Sequence, residues 1–214
     1  MIIAIDGSAA SGKGTLAKRV AAEFGYDYLD TGALYRAVAL SLLKAGVNSN
    51  NIDEKQAVNS ASKLNLSLTQ TAEIRTDNVA ALASIVAAIS PVRAELLALQ
   101  RSFAMAPPSG KGAVLDGRDI GTIVLPDADI KFFIDAGLDI RAERRTKELL
   151  QAGQSVMFRD VLADMKARDD RDRTRSVAPL KAADDAITID TSNMDAAAVL
   201  ALALSHIDRV DPSE

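Results

Sequence analysis

At 214 residues, with 48% hydrophobic and 25% charged side chains, the chain suits one globular domain with a substantial core and not a disordered segment. A net charge of −4, no Trp and only three Tyr argue against a nucleic-acid binder, which needs basic surface and stacking platforms. The absence of Cys and a single histidine, His206, exclude disulfides, thiolate metal sites, thiol nucleophiles and most His-dependent triads.

Residues 2–6 (IIAID) predict a β-strand that runs directly into the glycine-rich DGSAASGKGT (6–15). An amphipathic helix follows over 15–24 and ends at Gly25, a suitable residue for a left-handed C-terminal cap. Residues 26–30 (YDYLD) predict a second strand, 34–46 a second helix, 52–64 a third helix and NLSL (65–68) a short strand. From 76 to 106 the pattern is helical, broken at Ser90-Pro91, where a serine N-cap and a proline in the first turn would start a new helix. PPSGKG (107–112) reads as a loop. Residues 113–116, 129–136 and 186–190 supply apolar strands, with helices at 138–152, 157–175 and 195–209. Buried strands separated by helices imply an α/β fold of three layers, a parallel sheet with helices on both faces. The expected organisation is a single domain over 1–214 with inserts at about 40–100 and 155–180. No stretch reaches ~18 uninterrupted apolar residues, and MIIAIDG lacks the basic start of a signal peptide, so a soluble cytoplasmic protein without a membrane span is expected.

A glycine loop between a strand and a helix directs backbone N–H groups and the positive end of the helix toward one point, which favours an anion. Lys13 adds a charge that reaches the β- and γ-phosphates of a nucleotide. The common pattern G-x-x-x-x-G-K-[ST] has its hydroxyl directly after the lysine; here Gly14 intervenes and Thr15 comes one place later. In LDTGALYR (29–36), Asp30 or Thr31 can cap the next helix with Arg36 on its surface; alternatively the helix start and Arg36 form a second anion site. DGRDIG (116–121) follows a strand, where ligands of open α/β sheets bind. Asp116 can hold magnesium or its waters, and Arg118 and Asp119 can face a substrate, unless the turn is held by Asp–Arg pairing alone. In RDDRDRTR (168–175), Arg168, Arg171, Asp172 and Arg175 share one helical stripe; it is either a solvated face on which Arg168 and Asp172 support the helix at i,i+4, or three arginines gathered against an anion.

GSAASGKGT, LDTGALYR, the EIRT…VAALASIVAAISPVR region (73–93), DGRDIGT and RDDRDRTRSVAPL (168–180) occur in the order of the bacterial-type cytidylate kinases, and the chain resembles that family over nearly its whole length. The resemblance implies the fold of a P-loop nucleoside monophosphate kinase, with a small monophosphate-binding segment and a lid. It implies ATP and CMP or dCMP as substrates, Mg²⁺ with the ATP, no nucleic acid or membrane partner, and a monomer. By similarity Gly7, Ser8, Ala9, Ala10, Ser11, Gly12, Lys13, Gly14 and Thr15 bind ATP, and Thr15 and Asp116 meet the metal directly or through water. Thr31, Arg36, Arg93 and Arg118 would hold the CMP phosphate. Ser84, Asp119 and Arg175 would read cytosine, while Arg168 and Asp172 hold the sugar. Lys13, Arg168 and Asp172 are the catalytic candidates, and Arg144 and Arg145 are candidates for further ATP contacts.

Chemistry agrees with the base assignment: cytosine offers an N4 amine that the Asp119 carboxylate can accept from, whereas uracil presents a carbonyl there. Such a mismatch discriminates on the order of 10⁴-fold. Two features depart from the family pattern, Ser8 in place of a frequent proline and the short TQTA link (69–72) where longer members carry extra strands. Residue chemistry alone also admits a kinase for UMP or for a small hydroxylated metabolite, with Asp30 or Asp119 as base, or a non-catalytic nucleotide-binding module. A GTPase is disfavoured by the lack of an N-K-x-D motif. His206 is expected to be structural.

Overall fold

Among the residues described by the computed structural model, 1–210, five strands form one sheet in the order β2-β3-β1-β4-β5. The strands are β1 (Ile2–Gly7), β2 (Asp27–Asp30), β3 (Ala113–Gly117), β4 (Ile130–Asp135) and β5 (Ile187–Asp190). β1 pairs in parallel with β3 and β4, and β4 with β5, so that Ile5 lies opposite Asp116 on one side and Phe132 on the other. The parallel α/β sheet expected from the apolar runs is present. Because β3 and β4 leave β1 on opposite sides, the crevice where the strand order reverses opens at the C-terminal end of β1, directly above the glycine loop.

Two compact units make up the chain, residues 1–29 with 106–214, and residues 30–105. The first holds most of the sheet, with α1 (Lys13–Phe24), α6 (Leu138–Gln151), α7 (Phe158–Thr174) and α8 (Ala196–Val210). Ile3, Ile5, Val114, Phe132 and Ile134 pack against Leu16 and Val20 of α1 and Val199, Ala203 and Ile207 of α8, all buried. Each large apolar side chain removed from water stabilises the fold by about 1.5–3 kcal/mol. α1 ends as expected at Gly25, which takes the left-handed conformation (φ 63°) and donates its N–H back to the last turn.

The second unit comprises α2 (Thr31–Lys44), α3 (Glu54–Ser62), α4 (Asp77–Val86) and α5 (Ser90–Met105), with α2 packed on α4 and α3 on α5. The strand expected at 65–68 is instead a 3₁₀ segment, Leu66–Gln70. A strand requires a ladder partner, and among the described residues this unit contributes only Asp30 to the sheet. Asn65 also draws the chain into a turn by accepting from the Ser67 backbone N–H at 3.0 Å and its hydroxyl at 2.8 Å. Helix α2 begins three residues before the expected start because Asp30 caps it, accepting from the Ala33 N–H at 3.0 Å. No single helix among the described residues is long and apolar enough to cross a membrane.

Candidate functional site

β1 delivers its last residue, Gly7, into a space that no side chain fits: a Cβ there would stand 1.9 Å from the carbonyl oxygen of Ile134 on β4. The chain then turns through Ala10 (φ 57°) and Gly12 (φ 94°), and α1 starts at Lys13. Lys13 Nζ donates to the Ser8 carbonyl at 3.3 Å, folded back over its own loop. The loop is held from behind by the body of the unit. The Ser8 hydroxyl donates to Asp135 at the end of β4. The Arg141 guanidinium, 2% exposed, donates to the Ala9 carbonyl at 3.3 Å and to the Ala136 carbonyl at 2.8 Å. The Thr191 hydroxyl donates to the Ser11 carbonyl at 2.8 Å. With these carbonyls drawn inward, the curve presents amide N–H groups and the start of α1 to an anion. The Ser11 hydroxyl is itself buried and has no hydrogen-bond partner, a polar atom that a bound group would satisfy.

The departure at Gly14 has a local reason. A Cβ there would lie 3.3 Å from Asp116 Oδ2, so the glycine opens the first turn of α1 to the carboxylate that ends β3. The Tyr28 hydroxyl donates to the other oxygen, Oδ1, at 3.1 Å and orients the group. One carboxylate beside the Thr15 turn fits Mg²⁺, which keeps several waters and binds through one or two carboxylates plus substrate phosphates. It does not fit a metal caged by protein alone, and no cluster of three or more acidic, His or Cys ligands occurs among the described residues.

Beyond β3, the DGRDIG segment meets α7. Arg118 Nε donates to Asp172 Oδ2 at 3.0 Å, and Arg175 Nη2 lies 3.9 Å from Asp119 Oδ1. Burial alone would raise the Asp172 carboxyl, but the surrounding Arg118, Arg168 and Arg175 outweigh it and hold the group below its ordinary value. Arg118, Asp119, Arg168, Asp172 and Arg175 are thus drawn together. The helical stripe expected for 168–175 needs correcting. α7 ends at Thr174, Arg175 follows as its C-cap and donates to the Ala178 carbonyl at 2.6 Å, and Arg171 faces solvent. Counter-charge for the arginines comes from Asp119 and Asp172. A neighbouring pair, Arg141 to Asp169 at 2.6 Å, joins α6 to α7.

In the other unit, Thr31 is buried in the first turn of α2, and the Arg36 guanidinium lies 3.8 Å from Asp30, which is engaged in capping. Ser84 on α4 and Arg93 on α5 are buried. Arg93 donates to the Ala87 carbonyl at 3.3 Å and sits 5.7 Å from the centre of the Tyr35 ring. Arg144, a candidate for ATP contact, donates to the Thr191 carbonyl and hydroxyl at 2.6 and 3.0 Å and so buttresses the loop from behind. Arg145 pairs with Glu148 on the same exposed helix face.

Sequence reasoning passes over Asp6, Tyr28, Asp135, Arg141 and Thr191, all in contact with the loop or its neighbours. Asp6 and Asp135 do carry a signal, since each is a carboxylate at the C-terminal end of a mostly apolar strand.

The family model for cytidylate kinase matches residues 3–209. The chain is 53% identical to the cytidylate kinase of Paramagnetospirillum magneticum over 96% of its own length and 97% of the relative's. It is 51% identical to the cytidylate kinase of Rhodospirillum rubrum over 95% of each. Among solved structures, an unliganded sugar kinase from Janibacter sp. HTCC2649 is similar in fold, with a TM-score of 0.52 at 16% identity, covering 99% of this chain and 95% of that one.

Proposed function

The chain belongs to the cytidylate kinase family, and from that premise we propose that it transfers the γ-phosphate of ATP to CMP or dCMP, giving ADP and CDP or dCDP. The observation that best supports this reading is the joining of Asp119 to Arg175 and of Arg118 to Asp172 beside the crevice that the glycine loop opens.

Residues 7–15 hold the ATP phosphates, with Lys13 turning from the Ser8 carbonyl to the β- and γ-phosphates. Thr15 and Asp116 would hold the Mg²⁺ brought with ATP, directly or through water, and the ion would supply charge neutralisation on the phosphates. Thr31, Arg36, Arg93 and Arg118 hold the CMP phosphate. Ser84, Asp119 and Arg175 read the cytosine, and Arg168 and Asp172 hold the sugar. The acceptor phosphate has a second pKa near ~6 and is ionised at neutral pH, so no general base is needed. Catalysis by Lys13 and Arg168, with Asp172 holding the arginines in place, is positioning and charge neutralisation in a site from which water is excluded. An arginine brought to the transferring phosphoryl group contributes roughly 10³–10⁵ in rate. We assign residues 155–180 as the lid and 40–100 as the monophosphate-binding insert of one kinase domain, acting as a cytoplasmic monomer.

The test is ATP- and Mg²⁺-dependent phosphorylation of a panel of CMP, dCMP, UMP, AMP, GMP and several hydroxylated metabolites, with products identified by mass. CDP and dCDP are expected to dominate. Preference for another monophosphate would overturn the base-reading residues, and turnover of a hydroxylated metabolite alone would overturn monophosphate kinase activity.

A further inference from the structure

We propose that Asp6 is a positioning residue that holds the Arg118–Asp119 corner in the shape needed to tell CMP from UMP. Asp6 is 4% exposed at the end of β1, and its two carboxylate oxygens accept separately from the backbone N–H groups of Ile120 and Gly121, each at 2.7 Å. Those N–H groups open a short π-helical turn, Ile120–Val124, in which Val124 donates to the Asp119 carbonyl and Leu125 to the Ile120 carbonyl. Asp119 stands at the N-cap of this turn. An aspartate there ordinarily turns its own carboxylate onto the first N–H groups, yet Asp119 makes no such capping bond. Asp6 caps the turn from a different strand, 114 residues away, and the Asp119 carboxylate is left directed toward Arg175. The residue is therefore more than packing: it decides which way the base-reading carboxylate points. Gly121 shares in the arrangement, since a Cβ there would press on the Lys131 side chain at 3.1 Å and approach Asp6 Oδ2 at 3.5 Å.

The charge on Asp6 is finely set. Burial pushes its carboxyl up to about 7, against the two backbone N–H bonds, with Asp119 adding to the rise and Arg118 opposing it. The charged groups around it are Arg118 and Asp119 on the corner and Lys131 on β4, itself paired with Asp185 at 2.7 Å. Protonation converts one acceptor oxygen into a donor facing an N–H.

This inference rests on Asp119 as the base reader, so Asp6→Asn and Asp119→Ala are assayed side by side with CMP and UMP as acceptors. Asp6→Asn is expected to raise KM for CMP by about 10–100-fold, to leave KM for ATP within about 3-fold, and to lower the CMP:UMP ratio of kcat/KM by about 10-fold or more. If Asp119→Ala lowers that ratio and Asp6→Asn leaves it unchanged, the role of Asp6 is overturned and the base assignment stands. If Asp119→Ala leaves the ratio unchanged, the base assignment falls and the role of Asp6 with it. Should Asp6→Asn not fold, the wild-type protein gives the answer. The amide protons of Ile120 and Gly121 should titrate together with a midpoint near pH 7, and the CMP:UMP ratio should fall below it. Ionisation of the acceptor phosphate cancels in this ratio, because both nucleotides carry the same group. A CMP:UMP ratio that stays constant while these amide signals titrate would overturn the proposal.

Discussion

Arg118 Nε and Asp172 Oδ2 meet at 3.0 Å across 54 residues of sequence, tying the loop after β3 to the last turn of α7. Both side chains are mostly buried, so the pair is worth less as a source of attraction than as a constraint on what remains if one member is removed. Asp172→Ala leaves Arg118, Arg168 and Arg175 without their nearest common counter-charge. We expect a loss of about 3–5 kcal/mol in stability by urea denaturation, partly restored by CMP, whose phosphate supplies the missing charge.

Two buried aspartates should give opposite responses to pH. Asp172 is held below its ordinary 3.8, so its stabilising contribution is present above that value and is lost as pH falls through the lower folded one. Asp6 is raised from 3.8 to about 7. Between those values the folded protein binds the proton and the unfolded chain does not. The contribution of Asp6 is therefore fully present at low pH and declines as pH rises toward 7, by at most ~4 kcal/mol. The stability of wild type relative to Asp6→Asn, measured by urea titration from pH 4 to 8, should fall across this window and level off above it.

Glycines 7 and 14 should fail in different ways. Gly7→Ala forces a methyl group to 1.9 Å from the Ile134 carbonyl, between the ends of the two adjacent strands β1 and β4, and the expected result is loss of the folded protein by circular dichroism. Gly14→Ala meets only Asp116 Oδ2 at 3.3 Å and the Tyr28 hydroxyl at 4.0 Å. Stability should change by about 1 kcal/mol or less, while kcat falls about 10–100-fold because Asp116 is displaced. Equal kcat in Gly14→Ala and wild type would show that the glycine serves packing and not the metal.

Lys13→Met removes the ammonium group that donates to the Ser8 carbonyl at 3.3 Å. Stability should stay within about 0.5 kcal/mol, whereas kcat should fall by about 10²–10³-fold, with the loss seen for CMP and dCMP alike.

What the sequence disclosed follows from how local each signal is. The strand–glycine–helix unit at 2–24 is legible because its apolar run, its turn residues and its helical period are contiguous. Asp30 as a cap is legible for the same reason. NLSL misleads because strand propensity says nothing about whether a partner strand exists; the Asn65 side chain settles the matter locally. The 168–175 stripe is legible only in part because helical periodicity does not mark where α7 ends, at Thr174 with Arg175 as its C-cap, nor that Arg171 faces solvent. Tyr28, Asp6 and Asp135 were invisible because their partners lie 88, 114 and 127 residues away, and no period in the chain connects them.

The strand order has a consequence for the birth of the protein. β1 occupies the middle of the sheet, but both of its neighbours, β3 and β4, are encoded more than 100 residues later. At roughly 5–20 residues per second, the ribosome needs on the order of 5–20 s between the two events. During that interval the IIAID segment stands with both backbone edges open, a template for pairing with another chain. The strand that leads into the glycine loop is thus, while the chain is being made, an edge open to other chains. The Asp6 carboxylate, fully hydrated and charged before the sheet closes, places a negative charge at the end of that edge until Ile120 and Gly121 arrive to bind it.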